Sequence, residues 1–293
     1  MKSYKEKVND RNRLNPNKVL LNNEQLCRLQ KTLLEIYIDV QTVCQKNGLI
    51  CMLLGGSALG SIRHNGFIPW DDDLDMGMPR VDYEKFKTIF IKELGNKYTL
   101  NGPNYAGAPT NRFPKILKND TKFVEIGMAD DERACIKIDI FIIDNVPDNI
   151  ICRYLKGFYC TLLMFAGSHV YTYENWKRVS LNQKKKNKMT TRVLIGKLLS
   201  FNSSKKWFDR IDKACCCENE KSKYVGIPTG RKHYFGEILK REAFFPAKES
   251  FFEGERVFLP ANTDVYLTNL YGDYMQIPPE DKRERHYIEK ILF

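Results

Sequence analysis

The sequence has no apolar run long enough to read as a membrane span, no paired cysteine spacing and no apolar opening segment. Each lack excludes a class. The longest uncharged apolar stretch, residues 157–170, is 14 residues, short of the ~20 that a bilayer-spanning helix needs. Nine cysteines are present, but no CxxC pair of the kind that structural zinc uses. The odd count and irregular spacing predict free thiols in a reducing compartment. Residues 1–19 are polar and charged, with no apolar core of an export signal, so a cytoplasmic location is expected.

What is present is a large globular chain. It has 293 residues, 43% of them hydrophobic and 28% charged, enough to bury a core. The net charge of +11 is local. Residues 153–213 hold 14 Lys and Arg against 3 acids, and the rest of the chain holds 33 of each sign. A neutral protein carrying one basic stretch points to a surface that faces something anionic. A solvated helical face is the plain reading of that stretch. Contact with an anionic membrane is the functional one, since apolar clusters interleave with the cations. Nucleic acid ranks below both.

Up to about residue 145 helix and strand signals alternate. Leu26, Leu29, Leu33, Ile36, Tyr37, Val40 and Cys44 recur at helical spacing and Gly48 follows as a stop. Residues 49–54 suit a buried strand, residues 57–63 a short helix, 74–78 a second strand and 81–94 a helix. Residues 98–111 read as a loop. Strands are predicted over 113–117, 122–128 and 135–143, the last with Ile136, Ile138, Ile140 and Ile142 on one face and Lys137 and Asp139 on the other. The expected fold class is α+β: a mixed sheet with flanking helices over residues 1–147, then a mostly helical, basic part over 148–293 that completes the site.

The most informative stretch is residues 55–80, GGSALGSIRHNGFIPWDDDLDMGMPR. Asp71, Asp72, Asp73 and Asp75 place four carboxylates in five positions. Such acids repel unless a cation joins them. Asp73 and Asp75, two apart on a strand, share a face about 7 Å apart, which suits a hard divalent cation. Asp139, set between isoleucines, is a third candidate ligand. Gly55, Gly56 and Ser57 form a turn whose backbone amides can approach phosphate oxygens at a helix start. These parts together describe metal-assisted phosphoryl transfer. Arg63 could grip a diphosphate or hold the acidic loop. His64 could act as a base or as a turn residue. Lys115 could reach a phosphate. Arg283 and His286, three apart after Pro278-Pro279, read as a helix start with both on one face, binding donor or acceptor or closing the C-terminal region onto the sheet.

The same stretch resembles the signature of the LicD family, whose eukaryotic relatives include fukutin and fukutin-related protein. The match runs through Leu59-Gly60, Arg63-His64, Gly66 to Trp70, Asp71 to Leu74, Asp75, Met78-Pro79-Arg80, Asp82-Tyr83 and Phe86. Leu270 to Met275, Pro278-Pro279, Arg283 and His286 resemble the family as well, while residues 150–250 carry little of its signature. The resemblance implies a nucleotidyltransferase-like fold. It implies Mg²⁺ (or Mn²⁺) on Asp73, Asp75 and Asp139, with Gly56 and Ser57 holding phosphate and Asp71 and Asp72 orienting neighbours or contacting the donor. It implies transfer of phosphocholine or ribitol phosphate from a CDP-linked alcohol to a glycan hydroxyl, or to a lipid-linked precursor at the inner membrane face. Two other classes stay open at this point: a nucleotidyltransferase that releases pyrophosphate, and a non-enzymatic protein that binds membrane or nucleic acid.

Overall fold

The computed structural model describes residues 21–105, 111–126, 128–182, 190–217 and 221–293, without the side chains of 179–182. Residues 1–19 and the Lys184–Lys188 run, both singled out in the sequence, lie outside these.

The first helix, α1 (Asn23–Lys46), opens on a capping box: Asn22 accepts from the Gln25 amide and the Gln25 side chain returns to the Asn22 amide. Its apolar stripe, Leu29, Leu33, Ile36, Tyr37, Val40 and Cys44, is buried. Then come β1 (Met52–Leu53), α2 (Gly55–His64), β2 (Asp75–Pro79), α3 (Arg80–Leu94), β3 (Tyr98–Asn101), β4 (Lys115–Lys118), β5 (Lys122–Glu125) and β6 (Lys137–Val146). The α+β expectation is borne out. Residues 98–101 are a strand where a loop was expected. The Gly102-Pro103-Asn104 turn signals that dominated the window begin only after them.

The sheet runs β1-β2-β6-β4-β3. β2 and β6 are parallel, with Asp75 opposite Asp139, and β4 lies antiparallel on the other side of β6, with Lys115 opposite Asp139. The alternation of β6 is as its sequence dictates: Ile138, Ile140 and Ile142 are buried, while Lys137 and Asp139 face the other side and are partly open.

The C-terminal part begins with three helices, α4 (Ile150–Asn182), α5 (Thr191–Leu198) and α6 (Ser204–Cys215). Cys160, Leu163, Met164, Val170, Trp207, Phe208 and Ile211 form a second apolar core between α4 and α6. α4 corrects the reading of residues 157–170 as too short to span. Residues Ile150–Arg178 are one helix of 29 residues, long and apolar enough to cross a membrane by length and composition, though only a third of its apolar window is buried. Arg153 and Lys156 broke the run in the sequence. Arg153 folds back to the carbonyls of Pro147 and Asp148, and Lys156 reaches that of Cys216.

The chain then returns to the sheet. β7 (Tyr224–Gly226) pairs with β6, and β8 (Leu239–Lys240), after the short α7 (His233–Gly236), pairs with β7. β9 (Lys248–Phe252) and β10 (Glu255–Leu259) make a hairpin, α8 spans Thr263–Tyr271, and β11 (Ile288–Leu292) pairs with β5. All nine cysteines are free. Of the consecutive trio, Cys215 is buried and Cys216 exposed, as adjacent side chains diverge.

Glu237, after α7, is 3% exposed. Its carboxylate accepts from the Lys232 amide at 2.6 Å. Burial outweighs that hydrogen bond and the nearby Lys232, Arg231 and Arg112 charges, and pushes its pKa up to about 7. A carboxyl whose folded pKa is raised costs stability on ionising, so the cost grows as pH rises from the unfolded value toward 7. Glu237→Gln keeps the acceptor and removes the charge. It is expected to stabilise the fold at pH ~8 by on the order of 1–3 kcal/mol, and to have little effect near pH ~4.5. Thermal melts at both pH values check this.

Candidate active site

β1 feeds α2 through Gly55, whose φ of 52° is left-handed and favours glycine. Space demands glycine too. A Cβ on Gly55 would meet Asp75 Oδ2 at 2.6 Å, and one on Gly56 would meet Asp71 Oδ2 at 3.0 Å. The two glycines thus let two carboxylates lie against the positive end of α2. The Gly55 amide donates to Tyr266 Oη. The amides of Gly56 and Ser57, in the first turn, have no intrahelical acceptor. Ser57 Oγ accepts from the Asp75 amide at 2.9 Å, so its first task is to seat the start of β2.

β2 begins at Asp75 and not at residue 74, so Asp73 sits in the irregular segment before it. Leu74 and Met76 are buried, as expected of the alternate face. Pairing across β2, β6 and β4 sets Asp75, Asp139 and Lys115 in one row. Lys115 Nζ donates to Asp139 Oδ1 at 2.5 Å. Two residues before Asp139 on the same face, Lys137 pairs with Glu125 of β5 at 2.8 Å. Lys115, Phe123, Glu125 and Lys137 line two adjoining cavities. One, of about 150 Å³, includes Asp72, Asp73, Asp139 and His286. The other, of about 270 Å³, includes Arg112, Phe113, Arg133, Ser168 and Tyr171. Glu125, Lys137 and Arg112 were not predicted as site residues. The alternation that placed Lys137 beside Asp139 was the available signal; Glu125 and Arg112 had none.

The electrostatics follow from crowding. Burial, then the charges of Asp73, Asp72 and Asp75, hold the Asp71 carboxyl well above the usual carboxylate range. Burial, then Asp73 and Asp139, do the same to Asp75, against the opposing pull of Lys115 and His286. Asp73 is raised as well, by burial first and by Asp72 and Asp139, with His286 opposing. Glu125 goes the other way: the Lys137 ammonium overcomes its burial and holds it well below that range. Arg112 donates to the Thr229 carbonyl, and burial keeps its pKa below the ordinary arginine value.

Asp72 is engaged by the C-terminal segment. It is 8% exposed and accepts from both the amide and Nδ1 of His286, at 3.0 and 2.8 Å. Burial would lower the His286 pKa, but the Asp72 hydrogen bond and the charges of Asp72, Glu125 and Asp73 raise it to about 10. The expected helix around Arg283 and His286 is not formed. A single 3₁₀ turn, Glu280–Lys282, ends before Arg283, and the chain runs extended into β11. Extended backbone separates the two side chains. His286 reaches Asp72, while the Arg283 guanidinium lies 4.1 Å over the Trp70 ring. Arg63 donates to the carbonyls of Tyr274 and Gln276 and, through Nε, to His64 Nε2. Arg63 therefore ties the segment after α8 to α2. His64, with one ring nitrogen already accepting, has its pKa lowered by burial and by Arg63.

The carboxylates fit a divalent cation. Asp71, Asp73, Asp75 and Asp139 offer only oxygen, the donor type that hard divalent cations take, and their mutual charge adds to burial in raising the pKa values of Asp71, Asp73 and Asp75. Among the described residues, the tightest set of possible ligand atoms is Asp72, Asp73 and His286, within 4.8 Å of one another. In this structure His286 Nδ1 is taken up by Asp72 Oδ1, so the set is joined by that hydrogen bond.

Residues 48–142 match the LicD/FKTN/FKRP nucleotidyltransferase domain. The domain is of the LicD type. The match begins just before β1 and ends inside β6, so it spans the glycine turn, the acid cluster, Lys115 and Asp139. Beyond the domain, the chain is 27% identical over 274 residues to the lipopolysaccharide cholinephosphotransferase LicD of Haemophilus influenzae, covering 89% of this chain and 95% of that protein. An uncharacterized protein of Rickettsia typhi is 35% identical over 72 residues, 24% of this chain and 23% of its own length. The LicD resemblance read from the motif is borne out, and with it the expectation of a LicD-type transferase.

Proposed function

We propose that this chain moves a phospho-alcohol group, of the phosphocholine or ribitol phosphate type, from a CDP-linked donor to a glycan hydroxyl and releases CMP. One observation carries the reading. Asp75 and Asp139 face each other across a parallel strand pair, beside a helix start and a cation-lined cleft. The near full-length likeness to a cholinephosphotransferase supports it.

Asp73, Asp75 and Asp139 would hold Mg²⁺ or Mn²⁺. When bound, such an ion neutralises charge on the transferred phosphoryl oxygens. The Gly56 and Ser57 amides and Lys115 approach the donor diphosphate, and the lining of the larger cavity, with Arg112, Lys115, Arg133 and Lys137 against Glu125 and Asp131, carries a net positive charge that favours it. Asp139 takes the proton from the acceptor hydroxyl. The acceptor oxygen bonds to the distal phosphorus as the bond from that phosphorus to CMP breaks. Asp72 and His286 position these groups by holding the C-terminal segment to the acidic loop, and Arg63 by tying the segment after α8 to α2. A cytosolic nucleotide donor would put the reaction on the cytoplasmic side of a membrane.

A panel of CDP-alcohols with Mg²⁺, with and without candidate glycans, tests the reading. One donor is expected to yield CMP at a rate raised by the matching glycan. No CMP from any donor, with pyrophosphate released from CTP, overturns it in favour of nucleotidyl transfer, the reading that the domain's description keeps open.

A further inference from the structure

Four cations line the larger cavity: Arg112, Lys115, Arg133 and Lys137. Three of them are already paired: Lys115 with Asp139 at 2.5 Å, Arg133 with Asp131 at 2.5 Å and Lys137 with Glu125 at 2.8 Å. Arg112 differs. Among the described residues no carboxylate oxygen lies within 4.0 Å of it. Its guanidinium donates to the Thr229 carbonyl at 3.1 Å, and Asp139 and Glu237 act on it from farther off. A guanidinium carries five donors, and withdrawing it from water without an anion costs the fold. An uncompensated cation in a cavity wall is a seat for an anion, and the planar fork matches phosphate best.

Position decides which phosphate. Lys115 lines both cavities, while Arg112 lines the larger one and not the smaller. Both cations border one aromatic ring: Lys115 Nζ is 4.5 Å and the Arg112 guanidinium 5.3 Å from the centre of Phe113. A diphosphate with its distal phosphate at the acid row and Lys115 therefore carries its other phosphate toward Arg112. Beyond that cation the wall is ring-lined, by Phe113, Phe123, Tyr171 and Phe208. Flat apolar faces of this kind stack a base or a ribose. At about 270 Å³, the cavity is near the ~300 Å³ lower end of small-ligand pockets.

We infer that the larger cavity is the nucleotide subsite and that Arg112 binds the phosphate that leaves with CMP. The assignment rests on the proposed reaction and adds a residue to it. As the acceptor oxygen bonds to the distal phosphorus, the bond from that phosphorus to the bridging oxygen breaks. The electron pair stays on the bridging oxygen, so the CMP phosphate gains a second negative charge while the acceptor proton goes to Asp139. A cation that no carboxylate holds beforehand meets that charge as it develops, which is where a donor lowers the barrier most. Lys115, Arg133 and Lys137 have their charge taken up by acids, and Arg112 does not.

Binding of CMP and of cytidine to the full chain with Mg²⁺, titrated by ligand-observed NMR, tests this without turnover. Wild type is expected to prefer CMP by at least about tenfold. Arg112→Met is expected to reduce that preference by about tenfold, with cytidine bound as before and the melting temperature unchanged or higher. Arg112→Lys keeps the charge without the fork and is expected to fall between the two. In turnover, Arg112→Met is expected to lower kcat for CMP release by about a hundredfold. A CMP preference that both variants keep, or CMP and cytidine affinity lost in equal proportion together with a lower melting temperature, overturns the assignment. So does a raised KM for a phosphate-bearing glycan with CMP binding unchanged, which would give the cavity to the acceptor. The two readings fail separately: CMP release by wild type with CMP binding indifferent to Arg112 overturns the subsite and leaves the reaction standing.

Discussion

Asp75→Asn is expected to lower CMP release by about a thousandfold or more and, with EDTA present, to raise the melting temperature by a few degrees. Both effects have one cause. The Asp75 carboxylate is held among Asp73, Asp139 and Asp71, and its pKa is driven up by burial and by that company. In the absence of a cation its ionised form is a cost to the fold. Asparagine keeps the shape, removes the charge and relieves the repulsion. The backbone anchor survives, since Ser57 Oγ binds the Asp75 amide and not its side chain. The gain in stability and the loss of turnover should appear in the same protein. A variant that loses both activity and stability would mean that Asp75 holds the fold instead of a ligand.

Arg80→Met is expected to cost about 3–5 kcal/mol of stability, or on the order of 10 °C in melting temperature for a chain of this size. Arg80 opens α3 directly after β2. Its guanidinium binds both oxygens of Asp144 on β6, at 2.8 and 2.9 Å, and Asp212 on α6, at 2.7 Å. Asp144 is 2% exposed. Burial alone would lower the Arg80 pKa, but the two carboxylates raise it well above the arginine value. One cation thus joins the β2–β6 sheet to the helical part, and its loss leaves two buried charges unpaired. Adding Asp144→Asn to Arg80→Met should recover part of the loss. Urea unfolding of the single and double variants measures both. A loss below about 1 kcal/mol for Arg80→Met would show that the triad is screened like a surface pair.

Much of the sheet and of the candidate site on it was legible, because local signals there agree with the tertiary environment. The period-two isoleucines of β6 face the core as alternation requires, and the same rule put Lys137 beside Asp139 on the open side. Gly55 and Gly56, which open α2, read as a phosphate-approach turn, and the structure adds the reason for both: the Asp75 and Asp71 carboxylates occupy the space that side chains would fill. What was hidden depends on pairings distant in sequence. Glu125 of β5 meets Lys137 of β6 across 12 positions although the two strands are not paired, and Arg80 finds Asp212 across 132 positions. Arg283 and His286 were misread as helical because Pro278-Pro279 signals a helix start equally well when one 3₁₀ turn follows. α4 was undervalued because Arg153 and Lys156 interrupt the apolar run in the sequence, while in space their head groups are drawn to backbone carbonyls. The exposed apolar face of α4 could be seen only once the helix was packed.

The most direct test is the identity of the nucleotide product. Purified protein, Mg²⁺, CDP-choline or the CDP-alcohol found active in its place, and an acceptor glycan should give CMP and phospho-alcohol-bearing glycan in equal amounts, and neither with Asp75→Asn. Pyrophosphate with a nucleotide-bearing product, or CMP formed equally well by Asp75→Asn, would contradict the account.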